Sequence, residues 1–319
     1  MQKSFLSNAG PASNSVRPPT FRRALPNSPA STVMNTEVLS NLEYVNFTQE
    51  FSNIMRIDSG GFGVVYKANW RNNSIAVKQI KLEVNDRLTM SSIKSEVDIL
   101  CRLRHDRTLT LLHCCRDDQH IYLVTKFYEK KSLYHLLHES QTPMNKDNYC
   151  ILMEDICNGL TYLHNNKPPI LHLDLKPKNI LIDGYTEFRA VIADFGLSVM
   201  THKKPHQIGG TFPYMAPEIL TAQLTDKADI YSLAIVMWES LMYREPYSNT
   251  GMKGDDILTL VSNGMRPKWD DPFFQIPPSI QRCVEQCWHS DPQQRPNAHI
   301  LCSQLVAIHQ DPTIQFLDI

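Results

Sequence analysis

Between His172 and Gly196 the chain sets four polar groups at spacings few folds can satisfy. Asp174, Lys176 and Asn179 fall within six residues, in the loop His172-Leu173-Asp174-Leu175-Lys176-Pro177-Lys178-Asn179. Asp194-Phe195-Gly196 follows twenty residues after Asp174, behind the apolar run Val191-Ile192-Ala193. A carboxylate, an ammonium, an amide and a second carboxylate carried on loops next to apolar strands need a rigid scaffold to converge. Such a scaffold needs a large core, and at 319 residues and 42% hydrophobic the chain has the material for one.

The texture of the chain changes once along its length. From about Tyr44 to Ile80 it is strand-like, with β-favouring runs at Val64-Val65-Tyr66 and Ile75-Ala76-Val77, and Asn72-Asn73 is the expected hairpin turn between them. Ile93, Val97 and Leu100 then share one helical face, and two further strands end at Ile121-Tyr122-Leu123-Val124. After Tyr128 helix dominates. Leu152, Ile156, Leu160 and Leu163 form one stripe, residues 229–243 a largely apolar helix, and Pro277-Pro278 open another that runs to Cys287 and Trp288. The reading is an α+β chain of two lobes: a small β-rich N-lobe over about 43–127 and a larger α-helical C-lobe over about 128–310. A cleft between lobes is a usual place for a small-molecule site. Residues 1–42, rich in Pro, Ser and Asn and without an acid before Glu37, are expected to be a disordered, mildly basic tail, and 311–319 a short C-terminal tail.

Bulk properties exclude several classes. A net charge of −1 gives no basic field for nucleic acid. The eight cysteines form no CxxC pair, so zinc is not indicated, and free thiols suit a reducing, cytoplasmic setting. No apolar run long enough to span a membrane and no signal-peptide core is present, so no membrane insertion is expected.

Five motifs lie in a fixed order. Asp58-Ser59-Gly60-Gly61-Phe62-Gly63-Val64-Val65 is a glycine loop, whose backbone can approach phosphates closely. Asp58 stands where a first glycine is usual, and places a negative charge near that site. Lys78 ends the strand Ile75-Ala76-Val77, and Glu96 on the next helix is its candidate partner. The loop from His172 to Asn179 and Asp194-Phe195-Gly196 follow. Then comes Gly209-Gly210-Thr211-Phe212-Pro213-Tyr214-Met215-Ala216-Pro217-Glu218.

In this order the motifs resemble those of protein kinases. The resemblance implies the bilobal kinase fold and an ATP- and Mg²⁺-dependent transfer of phosphoryl groups to protein hydroxyls. It assigns Asp174 to the substrate hydroxyl, Lys176 to charge on the transferring group, Lys78 to the α- and β-phosphates and Glu96 to Lys78. Asn179 and Asp194 are the metal ligands, and Ile57, Gly60, Gly61, Gly63, Val65, Ala76, Thr125 and Phe127 complete the nucleotide site. It also pairs Glu218 with Arg295, and sets Asp229 beneath the catalytic loop. Lys176 in Asp-Leu-Lys-Pro and Thr211 resemble serine/threonine rather than tyrosine kinases.

Within the kinases, five stretches resemble the Mos proto-oncogene kinase family: His172-Leu173-Asp174-Leu175-Lys176-Pro177, the short loop before Gly209-Gly210-Thr211, Lys227 to Ile235, Ala76 to Gln79, and Arg102 to Asp106. Membership implies a MAP kinase kinase kinase whose partner is a MAP kinase kinase, acting in oocyte meiotic maturation. Two alternatives stand beside it. One is another tyrosine-kinase-like enzyme similar to the receptor-interacting kinases; the absence of a death, CARD or ankyrin region after the kinase part speaks against it. The other is a pseudokinase scaffold, for which Asp58 is the only support. Leu173 stands where kinases usually carry an arginine that calls for an activation-loop phosphate. An apolar side chain makes no such call, so activity is expected not to need phosphate on Ser198 or Thr201.

Overall fold

The computed structural model describes residues 42–60, 63–82, 87–184, 187–201, 210–221, 224–252, 254–272 and 274–318. The expected tail over 1–42 therefore lies outside the described residues, apart from Leu42 at its end.

Six strands form one sheet: β1 (Glu43–Tyr44), β2 (Ser52–Gly60), β3 (Gly63–Trp70), β4 (Asn73–Lys81), β5 (Leu111–Arg116) and β6 (His120–Lys126). Their spatial order is β1-β5-β6-β4-β3-β2, with every pair antiparallel except β1 and β5. A four-residue helix, α1 (Phe47–Glu50), joins β1 to β2. Alternation along β4 sorts its side chains between two faces. Ile75 and Val77 join Ala68, Trp70, Tyr122 and Val124 in the core of the sheet. Ala76 and Lys78 take the other face, where cross-strand register sets Val65, Lys78 and Leu123 in one row and Lys67, Ala76 and Thr125 in the next.

The β3–β4 hairpin differs from the sequence expectation by one residue. Asn73 already pairs with Trp70, and the two-residue turn is Arg71-Asn72, with φ of 49° and 65°. Two successive positive φ values match the right-handed twist of the strands. The Arg71 guanidinium lies 4.4 Å over the Trp70 ring, a contact that favours an arginine in this unusual backbone region.

Helix α2 (Arg87–Arg102) buries Ile93, Val97 and Leu100, and Glu96 lies on the same helix at 5% exposure. The larger lobe is built on α3 (Lys146–His164) and α4 (Asp226–Met242). Asn145 caps α3 by accepting from the Asn148 N–H at 2.8 Å, and Leu152, Ile156, Leu160 and Leu163 are fully buried. Thr225 caps α4, and every residue from Ala228 to Met242 is buried. A helix apolar on all sides reads as buried in a core, which explains why residues 229–243 show no clean stripe. Around this pair lie α5 (Asp255–Ser262), α6 (Pro278–Cys287) and α7 (Ala298–Gln310).

Short strands complete the lobe: β7 (Ile170–Leu171), β8 (Ile180–Asp183), β9 (Arg189–Ile192), β10 (Val199–Met200), β11 (Phe274–Gln275) and β12 (Leu317–Asp318). The expected C-terminal tail is not free. β12 pairs with β11, Phe316 meets the Tyr149 ring at 5.7 Å, and Lys146 Nζ donates to the carbonyls of His309 and Asp311. Among the described residues no helix is long and apolar enough to cross a membrane.

Candidate active site

The catalytic-loop residues follow β7 and lead into β8, so two short strands fix both ends of the loop. Its middle is held from below by Asp229 on α4. The fully buried Asp229 carboxylate accepts from the backbone N–H of His172 at 2.9 Å and of Leu173 at 2.8 Å, and His164 Nε2 lies 2.8 Å away. Burial works to raise this carboxyl, but the bond from His164 and the neighbouring imidazoles and N–H groups hold it below the usual carboxylate range. Leu173 adopts φ of 64°, a conformation that costs a branched L-residue about 1–2 kcal/mol. The two bonds from Asp229 offset that cost.

Asp174 is 6% exposed and its carboxylate meets three donors. Thr211 Oγ1 donates to Oδ1 at 3.0 Å, and Lys176 Nζ and Asn179 Nδ2 donate to Oδ2 at 2.7 and 3.0 Å. Lys176 also reaches Thr211 Oγ1 at 2.8 Å. Lys176 and Asn179, expected from sequence to share a site with Asp174, and the threonine of the later motif therefore converge on one carboxylate.

Lys78 binds Glu96 at 2.6 Å and Asp194 at 3.4 Å. Burial alone would lower the Lys78 ammonium, but Glu96 and Asp194 more than offset it, and its pKa is raised. Asp194 stays ionised for a matching reason. Burial pushes its carboxyl up, while Lys78, His172 and the Gly196 N–H pull it below the ordinary range. Asp194 has φ of 61°, and the fully buried Phe195 ring meets His172 edge-on at 5.3 Å. His172 is itself buried, with Nε2 3.0 Å from the Ala193 carbonyl. The Ala193 N–H donates to the Asn179 carbonyl at 2.8 Å, which brings Asp194 next to Asn179.

The donors suit a hard dication. Asn179 spends its Nδ2 on Asp174, which leaves its amide oxygen as an atom that could hold a cation, and Asp194 is a carboxylate held below its ordinary range. Mg²⁺ is held through one or two protein oxygens plus phosphates and water, so two such ligands suffice. No group of three or more His, Cys, Asp or Glu side chains able to cage a metal occurs among the described residues.

Val65, Ala76, Lys78 and Thr125 share one sheet face through the register given above. Ile57 sits in the β2 bulge facing Val65, 44% exposed. Phe127 follows β6, with Lys67 Nζ 4.2 Å over its ring. Gly60 pairs with Gly63 across the loop tip; Gly61 and Phe62 lie outside the described residues. Gly63 has φ of 118°, and a Cβ there would lie 2.2 Å from the Gln79 carbonyl oxygen, so only glycine fits. Asp58 is exposed and its Oδ1 accepts from the next N–H, that of Ser59, at 2.7 Å. Its carboxylate is occupied on its own strand.

The end of the activation segment is anchored as the sequence implied. Arg295, whose side chain is fully buried, holds Glu218 through Nη1 at 2.6 Å and Nη2 at 2.9 Å. Gly209 lies outside the described residues. Sequence reasoning missed His164 and the trio of half-buried His138 with buried Glu239 and Tyr214. Glu239 is fully buried, 2.7 Å from His138 Nε2, and accepts from the Tyr214 hydroxyl at 2.6 Å. No local signal marks these residues, because their partners lie 25 to 101 positions away.

A β-sheet lobe, a helical lobe and this set of loops between them define a protein kinase: the chain belongs to the protein kinase domain family, which matches residues 51–306. Curated relatives agree on the class. The probable serine/threonine-protein kinase drkD of Dictyostelium discoideum is 34% identical over 247 residues, 76% of this chain and 18% of that protein. The serine/threonine-protein kinase VIK of Arabidopsis thaliana is 32% identical over 259 residues, 78% of this chain and 58% of that protein. The probable serine/threonine-protein kinase drkB of Dictyostelium discoideum is 32% identical over 252 residues, 78% of this chain and 36% of that protein. The chain thus spans less than two thirds of the length of these relatives. Family and relatives together make this a serine/threonine protein kinase domain, dependent on ATP and Mg²⁺.

Proposed function

We propose that the protein is a Mos-like MAP kinase kinase kinase that phosphorylates serine or threonine on a MAP kinase kinase, and that it works without a phosphate switch in its activation segment. The observation that carries this reading is Leu173 in His-Leu-Asp, set at φ 64° and held by Asp229. Asn179 and Asp194 would hold a Mg²⁺ ion, which when bound would supply charge neutralisation on the nucleotide's phosphates. Lys78, fixed by Glu96, binds the α- and β-phosphates. The backbone of Gly60, Gly61 and Gly63 covers the phosphates, and Ile57, Val65, Ala76, Thr125 and Phe127 frame the adenine. Asp174 accepts the hydrogen bond of the substrate hydroxyl and orients it for in-line attack. Lys176 neutralises charge on the group in flight, and Thr211 positions both Asp174 and Lys176.

The partner assignment is tested by incubating the protein with a catalytically dead MAP kinase kinase and labelled ATP. Label on serine or threonine of that substrate is the expected result. Labelling of a generic protein but not of the MAP kinase kinase would remove the assignment, and would turn attention to kinases similar to the receptor-interacting group.

Two observations favour independence from phosphorylation. Leu173 presents no guanidinium to a phosphate. Ser198 is 3% exposed, and its hydroxyl donates to the His172 carbonyl at 3.1 Å, so it is a structural group rather than a reachable acceptor. Thr201 is exposed, and its N–H donates to the Pro169 carbonyl at 3.0 Å. Thr201→Ala is expected to keep kcat within about twofold of wild type. Ser198→Ala tests the same point at the buried hydroxyl, with a melting curve to separate lost packing from lost phosphate.

A further inference from the structure

A cavity of about 490 Å³ opens in the larger lobe, and none of the residues assigned above to nucleotide, metal or substrate lines it. Its wall takes in Thr161 and His164 from the end of α3, Leu171 from β7, Thr201 after β10, Leu224 before α4 and His299 in the first turn of α7. That volume is in the range of sites for small organic molecules. Leu171 and Leu224 offer apolar surface to a ring. No lysine or arginine among the described residues lines the cavity, whereas Asp226 does, so an anion is poorly matched to it.

Two polar groups on this wall have nothing to bind. The Thr161 hydroxyl and His164 Nδ1 are buried, and neither has a hydrogen-bond partner among the described residues. The His164 side chain is only 9% exposed. Three residues apart on one helix, the two side chains share a face. Their needs differ. The Asp229 carboxylate, held below its ordinary range, only accepts, so His164 Nε2 at 2.8 Å carries the ring proton. Nδ1 of the neutral ring is then a bare acceptor and calls for a donor. The Thr161 hydroxyl calls for an acceptor for its proton. One water would meet both needs, but a water takes up about 30 Å³ and would leave most of the cavity unfilled. Buried polar groups are rarely left unpaired, so the pair points to a partner.

We propose that this cavity binds a small, uncharged, flat heterocycle whose edge presents an N–H beside a C=O, a lactam edge. The N–H donates to His164 Nδ1, the C=O accepts from the Thr161 hydroxyl, and the ring lies against Leu171 and Leu224. The position gives the ligand a route to the reaction. His164 also binds Asp229, and Asp229 holds the N–H groups of His172 and Leu173 just before Asp174. Hydrogen bonds in a chain strengthen one another, so a donor on Nδ1 firms the bond from Nε2 to Asp229. The effect falls on kcat rather than on KM for ATP.

The binding test uses the full chain with its nucleotide site filled by a non-hydrolysable ATP analogue and Mg²⁺, so that a heterocycle cannot lodge there. The probe is 2-quinolone; N-methyl-2-quinolone, which lacks the N–H, is its control. Calorimetry should show 2-quinolone binding about tenfold more tightly than the N-methyl compound, the effect of one hydrogen bond to a buried acceptor. In nitrogen NMR spectra the His164 Nδ1 resonance should move with 2-quinolone alone. Thr161→Val keeps the side-chain shape and removes the unpartnered hydroxyl. It should weaken 2-quinolone binding about tenfold while the melting temperature stays level or rises. In steady-state assays 2-quinolone should raise kcat and leave KM for ATP unmoved. Equal binding of the two quinolones, equal binding of 2-quinolone to wild type and folded Thr161→Val, or no binding up to the solubility limit would overturn the site. The comparison of the two quinolones decides the matter even where the variant does not fold. An unchanged or lowered kcat would overturn the link to the catalytic loop.

Discussion

Asp174→Asn is expected to lower kcat by about 10²- to 10⁴-fold, the usual contribution of a positioned acid–base group. The substitution keeps the shape of the side chain but removes its charge. All three donors now aimed at the carboxylate, from Thr211, Lys176 and Asn179, would face an amide that accepts on one side only. Lys78, Glu96 and Asp194 are untouched, so KM for ATP should move little. The split between kcat and KM separates loss of hydroxyl orientation from loss of nucleotide binding. Steady-state kinetics on a protein substrate would read this directly. A fall of less than tenfold in kcat, with the variant folded, would mean that Asp174 does not hold the role assigned to it.

The second large effect is on stability. Arg295→Ala is expected to cost about 3–5 kcal/mol, because it strands a carboxylate and several carbonyls in the interior. The Arg295 guanidinium satisfies both oxygens of Glu218 and the carbonyls of Lys227 and His289, and lies 5.1 Å over the Tyr231 ring. The Glu218 side chain is only 9% exposed, so water cannot replace what is removed. Removing both charges should hurt less than removing one, since no lone charge then remains buried. Chemical denaturation of Arg295→Ala, and of Arg295→Met combined with Glu218→Met, tests both statements. A loss below about 1 kcal/mol in the single variant would show that the segment is anchored elsewhere.

These predictions rest on features of differing visibility in the sequence. Lys78 stands near the end of a strand, and Asp174, Asn179 and Asp194 stand at close spacings in loops beside short strands, so their convergence could be read before any coordinates. The Lys78–Glu96 contact could not, because the helix bearing Glu96 can move independently of the sheet; it is formed here at 2.6 Å. The hairpin shows a different limit. Asn72 advertises a left-handed turn residue, but its companion is Arg71 rather than Asn73, and the Trp70 contact that favours Arg71 has no sequence signature. His164 resembles any basic residue in the last turn of a helix, and only folding reveals Asp229 as its partner. Glu239 hides in an apolar helix, where its burial with His138 and Tyr214 depends on elements far apart in sequence.

Leu173 links the site to its regulation. With arginine at this position, order in the activation segment would depend on a phosphate. With leucine, the Leu173 N–H is held by Asp229, and Thr211 and Lys176 already meet Asp174 with no phosphate involved. The most direct measurement is the rate of phosphoryl transfer to serine and threonine by phosphatase-treated protein, beside untreated protein and Asp194→Asn. The account predicts equal rates for treated and untreated protein, both far above Asp194→Asn. A large fall after phosphatase treatment would contradict the absence of a phosphate switch, and wild type indistinguishable from Asp194→Asn would make the chain a scaffold rather than a working kinase.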